Sequence, residues 1–163
     1  LFKERADRRM RGLRLALQRA GLRVLQIGAE DAHAAIDAGA SCLVSPVLGT
    51  EVGEVAAQRD VAWMPGIATP TEAYAAHQAG APLQKIFPMP GIGAAWVKAI
   101  RGPMPFLNLV PTHGVHENNA ASFLKAGAHA VGFVQSVFDP NDIAERRWHK
   151  IKEKAEKALA SVR

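Results

Sequence analysis

The sequence predicts an α/β fold in which short buried strands alternate with helices. Apolar runs start about 20 residues apart and are apolar along most of their length, as strands covered on both faces are. A glycine closes the helix-like stretch before four of these runs, at Gly21, Gly39, Gly80 and Gly127. Glycine is common just past a helix because it takes a left-handed conformation without steric cost. The 163 residues, 48% of them hydrophobic, suffice for one domain-sized core.

Six strands are predicted. Four of the apolar runs contain or end at a proline, which suits a strand that stops there. In chain order the runs are Leu22–Ile27, Ser41–Pro46, Val61–Gly66, Pro82–Pro88, Phe106–Pro111 and His129–Gln135.

Helices are predicted between these runs, and the strongest signal is the start of one of them. Thr69 can cap a helix, Pro70 suits its first turn, and Glu72 occupies the capping-box position. Thr50 is a simpler candidate cap. The predicted segments are Ala29–Ala38, Thr50–Arg59, the helix opening at Thr69, Glu117–Lys125 and a long final helix, Pro140–Val162.

This alternation fits either an open doubly wound sheet or a closed barrel. No Gly-x-Gly-x-x-Gly follows the first run, which disfavours a dinucleotide-binding open sheet. We therefore predict one TIM-type (β/α)8 barrel domain over residues 1–163, with a basic C-terminal helix over 139–163. Because a closed barrel needs eight strands and six units are visible, we expect the first two strands to precede Leu1.

The net charge of +5 is concentrated at the two ends of the chain. Residues 1–23 carry +6 and residues 145–163 carry +4, whereas residues 24–144 carry −5. The basic ends are either solvated helix faces or surfaces that dock onto an acidic partner. No nucleic-acid-binding motif is visible, so a nucleic-acid partner is not expected.

The composition also bounds the environment of the protein. The apolar runs are far shorter than the roughly 20 residues needed to cross a bilayer, so no membrane span is expected. The single cysteine, Cys42, excludes an internal disulfide and a multi-cysteine metal site. These features suit a soluble protein of a reducing compartment, either cytoplasm or an organelle stroma or matrix.

Lys85 is the candidate catalytic residue. It lies in an otherwise nearly apolar run, where strand alternation places Leu83, Lys85 and Phe87 on one face. Apolar surroundings disfavour the ammonium form and lower its pKa, and the neutral amine can attack a ketone or aldehyde to form a Schiff base. The alternative, equally weighted on pattern alone, is a lysine that extends past the strand end into solvent.

Several segments occur in the order and spacing of one known family. They are Ala38–Ala40, Val44–Pro46, Pro65–Glu72, Lys85–Pro88, Arg101–Pro105 and Val110–Val115. With them the chain resembles, over roughly residues 22–138, the KDPG/KHG aldolase family (2-keto-3-deoxy-6-phosphogluconate aldolases). The resemblance implies a class I aldolase on a (β/α)8 barrel, without metal or cofactor, in which Lys85 is the Schiff-base residue. It also implies a ligand such as pyruvate or another 2-keto acid, and a homo-oligomer, which is a trimer in the family.

The resemblance further implies substrate-binding residues and shows departures from the family pattern. The implied residues are Thr112, Gly114, Pro88 and Ser136. The family's acid/base glutamate and the arginine after it align before Leu1. Its substrate-binding threonine aligns with Leu25, and Val134-Gln135 replace a Gly-Ser. His113 replaces the first glycine of a Gly-Gly phosphate turn, where a side chain obstructs the approach of an anion to backbone N–H groups.

We therefore expect an aldolase-like barrel protein that is catalytically impaired and kept as a structural or interaction subunit of a larger complex. The alternative is an active class I aldolase that cleaves a 2-keto-3-deoxy sugar acid to pyruvate and an aldehyde. Its acid/base would come from residues before Leu1 or from a neighbouring subunit. His113, His116 and Glu117 form a weaker cluster that lacks the ligand set of a known zinc motif, so no metal site is expected.

Overall fold

The computed structural model describes residues 28–163, and it confirms the α/β class. The predicted strand Leu22–Ile27 and the basic segment 1–23 lie outside the described residues. The helices are α1 (Ala29–Asp37), α2 (Thr50–Gln58), α3 (Pro70–Gln78), α4 (Ala94–Arg101), α5 (Ala120–Lys125), α6 (Pro140–Ala144) and α7 (Trp148–Ala160). The strands are β1 (Cys42–Val44), β2 (Ala62–Met64), β3 (Gly66–Ile67), β4 (Gln84–Ile86) and β5 (Leu109–Pro111).

The described strands form two partial sheets, one of two strands and one of three. Across residues 28–163 these sheets do not close into a ring, so the closed eight-stranded barrel remains a prediction. The chain divides into two compact units between Lys85 and Ile86. None of the described helices is both long enough and apolar enough to cross a membrane.

In the first unit, β1 and β2 pair in parallel, with Leu43 opposite Trp63. Helix α2 packs against α1 and β2, and β3 pairs with β4. The run predicted as one strand, Val61–Gly66, is interrupted at Pro65, so β2 and β3 are separate strands. A proline has no N–H to give to a ladder, which explains the break.

The core of the first unit centres on Trp63. Its ring is buried, and its Nε1 donates a hydrogen bond of 3.0 Å to Oγ of the equally buried Ser45. Gly53 of α2 lies directly against the six-membered part of the ring. Leu43 and Val52 complete this layer and are fully buried. Removal of such side chains from water is the main favourable term in folding, so the burial of Trp63 stabilises this unit.

In the second unit, Ile86 at the end of β4 neighbours β5, and α4 packs against α5. The strand predicted at His129–Gln135 is wrong: no strand forms there. The amides of His129 and Gly132 still donate to the carbonyls of Leu109 and Pro111, at 2.9 and 2.8 Å. Three residues on one side thus match two on the other, and the extra residue interrupts the ladder as a bulge does.

The prediction of one helix over Pro140–Val162 is also wrong, because the chain forms α6 and α7 with a bend between them. Arg146 takes a left-handed conformation there, with φ of 54°. The buried Asp142 carboxylate accepts hydrogen bonds of 2.7 Å from Arg147 Nε and from Lys154 Nζ. These ion pairs hold α6 and α7 together and stabilise the bend.

The predicted helix ends are mostly confirmed. Gly39, Gly80 and Gly127 follow their helices with φ between 83° and 98°. Thr69 caps α3 in a complete capping box. The Thr50 cap is wrong, because Gly49 occupies the cap position and Thr50 is the first residue of α2. Helix α4 was not predicted, since it follows a segment rich in glycine and proline.

Candidate functional site

Lys85 is buried in the middle of β4. It is 7% exposed, so the alternative of a lysine that extends into solvent is not what the structure shows. Its neighbours in β4, Gln84 and Ile86, are buried as well, which leaves the strand covered on both faces. Burial lowers the pKa of the Lys85 ammonium below its ordinary value of 10.5, because desolvation penalises the charged form. A larger share of the amine is therefore neutral and nucleophilic near neutral pH.

Backbone contacts in the first unit fix the strand segment that carries Lys85. The Lys85 N–H donates to Pro65 O at 2.9 Å, and Ser45 N–H donates to Met64 O at 3.3 Å. The Cα of Gly66 lies so close to the Pro46 carbonyl that a Cβ at position 66 would overlap it. The carboxyl ends of β1 and β2 are thereby joined to β4. Residues at the carboxyl ends of strands commonly carry the sites of α/β proteins.

The turn after β3 is anchored by Glu72. Its Oε2 accepts hydrogen bonds from the N–H groups of Ala68 and Thr69, at 2.8 and 2.9 Å. These bonds, led by the one from Ala68, hold the pKa of Glu72 below its usual 4.5. The carboxylate thus satisfies amides at the start of α3 that could otherwise bind an external anion. The amides of this turn are therefore hydrogen-bonded to a residue of the chain itself.

Three predicted substrate-binding residues lie in the second unit around the loop after β5. Thr112 Oγ1 donates to Ile86 O at 3.3 Å, and Ser136 Oγ donates to Val115 O at 2.8 Å. Gly114 is exposed and has φ of 72°. The bond from Ser136 brings its loop to the loop that holds Thr112 and Gly114. Both hydroxyl groups keep lone pairs that can accept a further hydrogen bond.

His113 lies in the same loop and is held by two contacts. Its Nδ1 accepts a hydrogen bond of 3.4 Å from Met89 N–H, and its ring meets the Phe87 ring edge-on at 5.8 Å. With Nδ1 as acceptor, the neutral ring carries its proton on Nε2. Phe87, which was predicted to share one strand face with Leu83 and Lys85, is substantially exposed. Pro88, the fourth predicted binding residue, is also exposed.

The His113, His116 and Glu117 cluster does not form a metal site. Within residues 28–163, no group of three histidine, cysteine, aspartate or glutamate residues is placed to hold a metal ion. Asn119 instead organises this turn: its Oδ1 accepts from His116 N–H, and its Nδ2 donates to Gly114 O, both at 2.9 Å. Asn119 was not singled out from the sequence, although Asn at the start of a helix is a common signal.

Comparison with known proteins places these features in context. The family model "KDPG and KHG aldolase" matches residues 16–154. A Rhizobium meliloti (strain 1021) protein named "Probable 2-dehydro-3-deoxy-6-phosphogalactonate aldolase" is 37% identical over 105 residues, which are 64% of this chain and 50% of the relative. A Pseudomonas aeruginosa protein named 2-dehydro-3-deoxy-phosphogluconate aldolase is 38% identical over 92 residues, 56% of this chain and 42% of the relative.

A solved structure with a similar fold adds chemical detail about a related protein. The KDPG aldolase of Legionella pneumophila, with pyruvate captured at low pH as a covalent carbinolamine intermediate, has a TM-score of 0.72 and 25% identity. The match covers 83% of this chain and 65% of that one. The chain spans about half the length of the curated relatives it matches.

Proposed function

The chain belongs to the KDPG and KHG aldolase family, and on this premise we propose that Lys85 is the imine-forming residue of a class I aldolase-type lyase. The observation that carries the proposal is the burial of Lys85 on β4, together with the lowered pKa of its ammonium. A lowered pKa increases the neutral fraction of the amine, and the neutral amine is the nucleophile that this chemistry needs. The Legionella pneumophila relative, whose structure holds pyruvate as a carbinolamine, supports the same class of ligand.

In this mechanism, the lone pair of Lys85 Nζ attacks the C2 carbonyl carbon of a 2-keto acid and gives a carbinolamine. Loss of water forms the imine. With a 2-keto-3-deoxy sugar acid, a base takes the proton of the C4 hydroxyl, and the C3–C4 electron pair moves into the imine to leave an enamine and an aldehyde. The enamine then takes a proton at C3, and hydrolysis releases pyruvate and the free amine. We assign the base to none of the described residues.

Thr112, Gly114, Pro88 and Ser136 remain predicted substrate-binding residues. The Thr112 and Ser136 hydroxyl groups already donate to backbone carbonyls, so each offers its oxygen as an acceptor. A substrate hydroxyl suits this role better than a carboxylate, which can only accept. The homotrimer implied by the family likewise remains a prediction.

The second candidate is a catalytically impaired relative kept as a structural or interaction subunit. The observation that favours it is the loop after β5, where the resemblance implies a glycine and this chain has His113. The ring accepts a hydrogen bond from Met89 N–H and lies edge-on to the Phe87 ring. A side chain held in this way narrows the access of an anion to the loop amides.

Two assays on the full chain separate the candidates. The first is borohydride trapping with pyruvate, read by mass spectrometry of the peptide that contains Lys85. We expect a reduced pyruvyl adduct in the wild type and in Lys98→Met, an exposed lysine of α4, and no adduct in Lys85→Met. The absence of an adduct from the wild type would refute the proposal.

The second assay measures pyruvate release from 2-keto-3-deoxy sugar acids with and without a 6-phosphate. An adduct together with cleavage identifies an active aldolase. An adduct without cleavage identifies a chain that keeps the nucleophile but lacks the proton transfer, which contributes about 10²–10⁴-fold to such reactions.

A further inference from the structure

The last helix, α7, carries an apolar stripe that residues 28–163 leave exposed. Trp148 is 58% exposed and Leu159 is 57% exposed, and Ala155 lies between them. At 3.6 residues per turn these three positions fall on one side of the helix. Large apolar side chains aligned on an exposed face are typical of association surfaces.

Two charges of opposite sign run along one flank of this stripe. Lys152 Nζ and Glu156 Oε1 are 3.9 Å apart across one helical turn, and both side chains are exposed. An exposed pair of this kind contributes little to the stability of its own helix. Each charge can therefore take a partner from another molecule at little cost.

Ion pairs behind the stripe hold α7 in place and reduce its charge. Asp142 binds Arg147 and Lys154, and Lys154 also lies 3.7 Å from Asp139. With both aspartates included, residues 139–163 carry a net charge of +2, so two copies of this region repel each other only weakly. A helix fixed in this way loses little entropy when it binds.

We propose that α7 is a contact surface for a second copy of this chain, packed antiparallel across a two-fold axis. This arrangement sets Trp148 of each copy against Leu159 of the other, and Ala155 near the axis allows close approach of the helices. A two-fold axis also brings the same flank of both helices together, so Lys152 of each copy meets Glu156 of the other. The surface is thus complementary to itself, as an isologous interface must be.

The contact is small, which sets its strength. A helix of 13 residues is about 20 Å long, and a single helix pair buries less than the about 1,200–2,000 Å² of a stable complex. We therefore expect a two-fold contact that depends on concentration and dissociates on dilution, in addition to any three-fold contact of the predicted homotrimer. The proposal does not depend on the imine chemistry of Lys85.

The first test is sedimentation velocity of the full chain over a concentration series. We expect Leu159→Lys to raise the dissociation constant of the two-fold contact at least tenfold. The matched control is Ile92→Lys, which places the same charge at a residue that is 65% exposed outside α7, and it should change the constant less than twofold. Circular dichroism checks that both variants are folded. Equal constants for wild type and Leu159→Lys would overturn the proposal.

The second test asks whether the flanking charges pair between copies. Lys152→Glu alone and Glu156→Lys alone should each weaken association, because each leaves like charges facing each other. An equimolar mixture of the two variants should restore association, because one copy then carries two acids and the other carries two bases. A mixture as weak as either variant would count against the arrangement. So would a wild type that shows no two-fold association but binds phosphatidylglycerol vesicles through Leu159, since that outcome assigns the face to a membrane surface.

Discussion

Replacement of Gly53 by alanine in α2 sets two effects of opposite sign against each other. Alanine is the better helix former, by about 0.8–1.0 kcal/mol in a helix interior. A Cβ at position 53, however, would lie 2.8 Å from Cε3 and 2.9 Å from Cη2 of Trp63. Distances below 3.0 Å force one of the groups to move, and overpacking of a core costs about 1–3 kcal/mol.

The surroundings of Trp63 decide which effect is larger. The ring cannot swing into solvent, because it is buried and its Nε1 is hydrogen-bonded to Ser45 Oγ at 3.0 Å. Movement that breaks this bond leaves buried polar groups unpaired and costs a further 1–3 kcal/mol or so. With both costs added and the gain in helix propensity subtracted, we expect Gly53→Ala to lower the free energy of unfolding by about 1–5 kcal/mol.

Equilibrium urea denaturation followed by circular dichroism measures this change. The matched control is Gly91→Ala, where an added Cβ meets no atom within 4 Å, and we expect little loss or a gain of about 0.4–1 kcal/mol. In the double variant Gly53→Ala/Trp63→Leu the new methyl group enters vacated space, so the two costs should couple by at least about 1 kcal/mol. A Gly53→Ala protein as stable as Gly91→Ala, or additive costs in the double variant, would refute the packing argument.

Three further predictions concern caps and charges. Thr69→Ala should lower the free energy of unfolding by about 1 kcal/mol in thermal denaturation, since Oγ1 accepts from Glu72 N–H at 3.2 Å, and Thr69→Ser should restore it. The rate of pyruvate trapping at Lys85 should rise with pH and level off below pH 10.5, because burial lowers the pKa of this amine. A pH–rate profile with its midpoint at pH 10.5 would contradict the burial. The pKa of Asp142 is held below 3.8, first by the hydrogen bond from Lys154, so its stabilising effect is complete above that pH and is lost as pH falls through the folded pKa. Asp142→Asn should therefore be less stable than the wild type at neutral pH, and acid denaturation should show the difference disappear at low pH.

Sequence reasoning succeeded where the physical signal is local. The capping box at Thr69 and Glu72 needs only residues three positions apart, and the glycines after α1, α3 and α5 need only their own backbone freedom. The burial of Lys85 was one of two equally weighted interpretations of its apolar neighbours, and the structure shows the buried one. The family could be named from its motifs, and the family model agrees with that resemblance.

Sequence reasoning failed where the structure depends on distant contacts. The sequence has no glycine at the bend near Arg146 that would have indicated it. The bend is stabilised instead by ion pairs of Asp142 with Arg147 and Lys154, which local sequence patterns do not reveal. The strand predicted at His129–Gln135 does not form, because one extra residue interrupts its hydrogen bonds to β5. Those bonds join segments that are far apart in sequence, so local patterns could not predict the interruption. The hydrogen bonds of Thr112 and Ser136 likewise join segments 26 and 21 residues apart.

The contact of Gly66 with Pro46 makes the two positions unequal in what they tolerate during evolution. Position 46 takes part in the contact through its backbone carbonyl, which every amino acid has. Position 66 allows the contact only because glycine has no side chain. Substitutions at position 46 therefore leave this contact in place. Any substitution at position 66 adds a Cβ that pushes the segments of Gly66 and Pro46 apart, next to the strand that carries Lys85. In a library of random variants selected for folding, codon 66 should stay fixed while codon 46 diversifies.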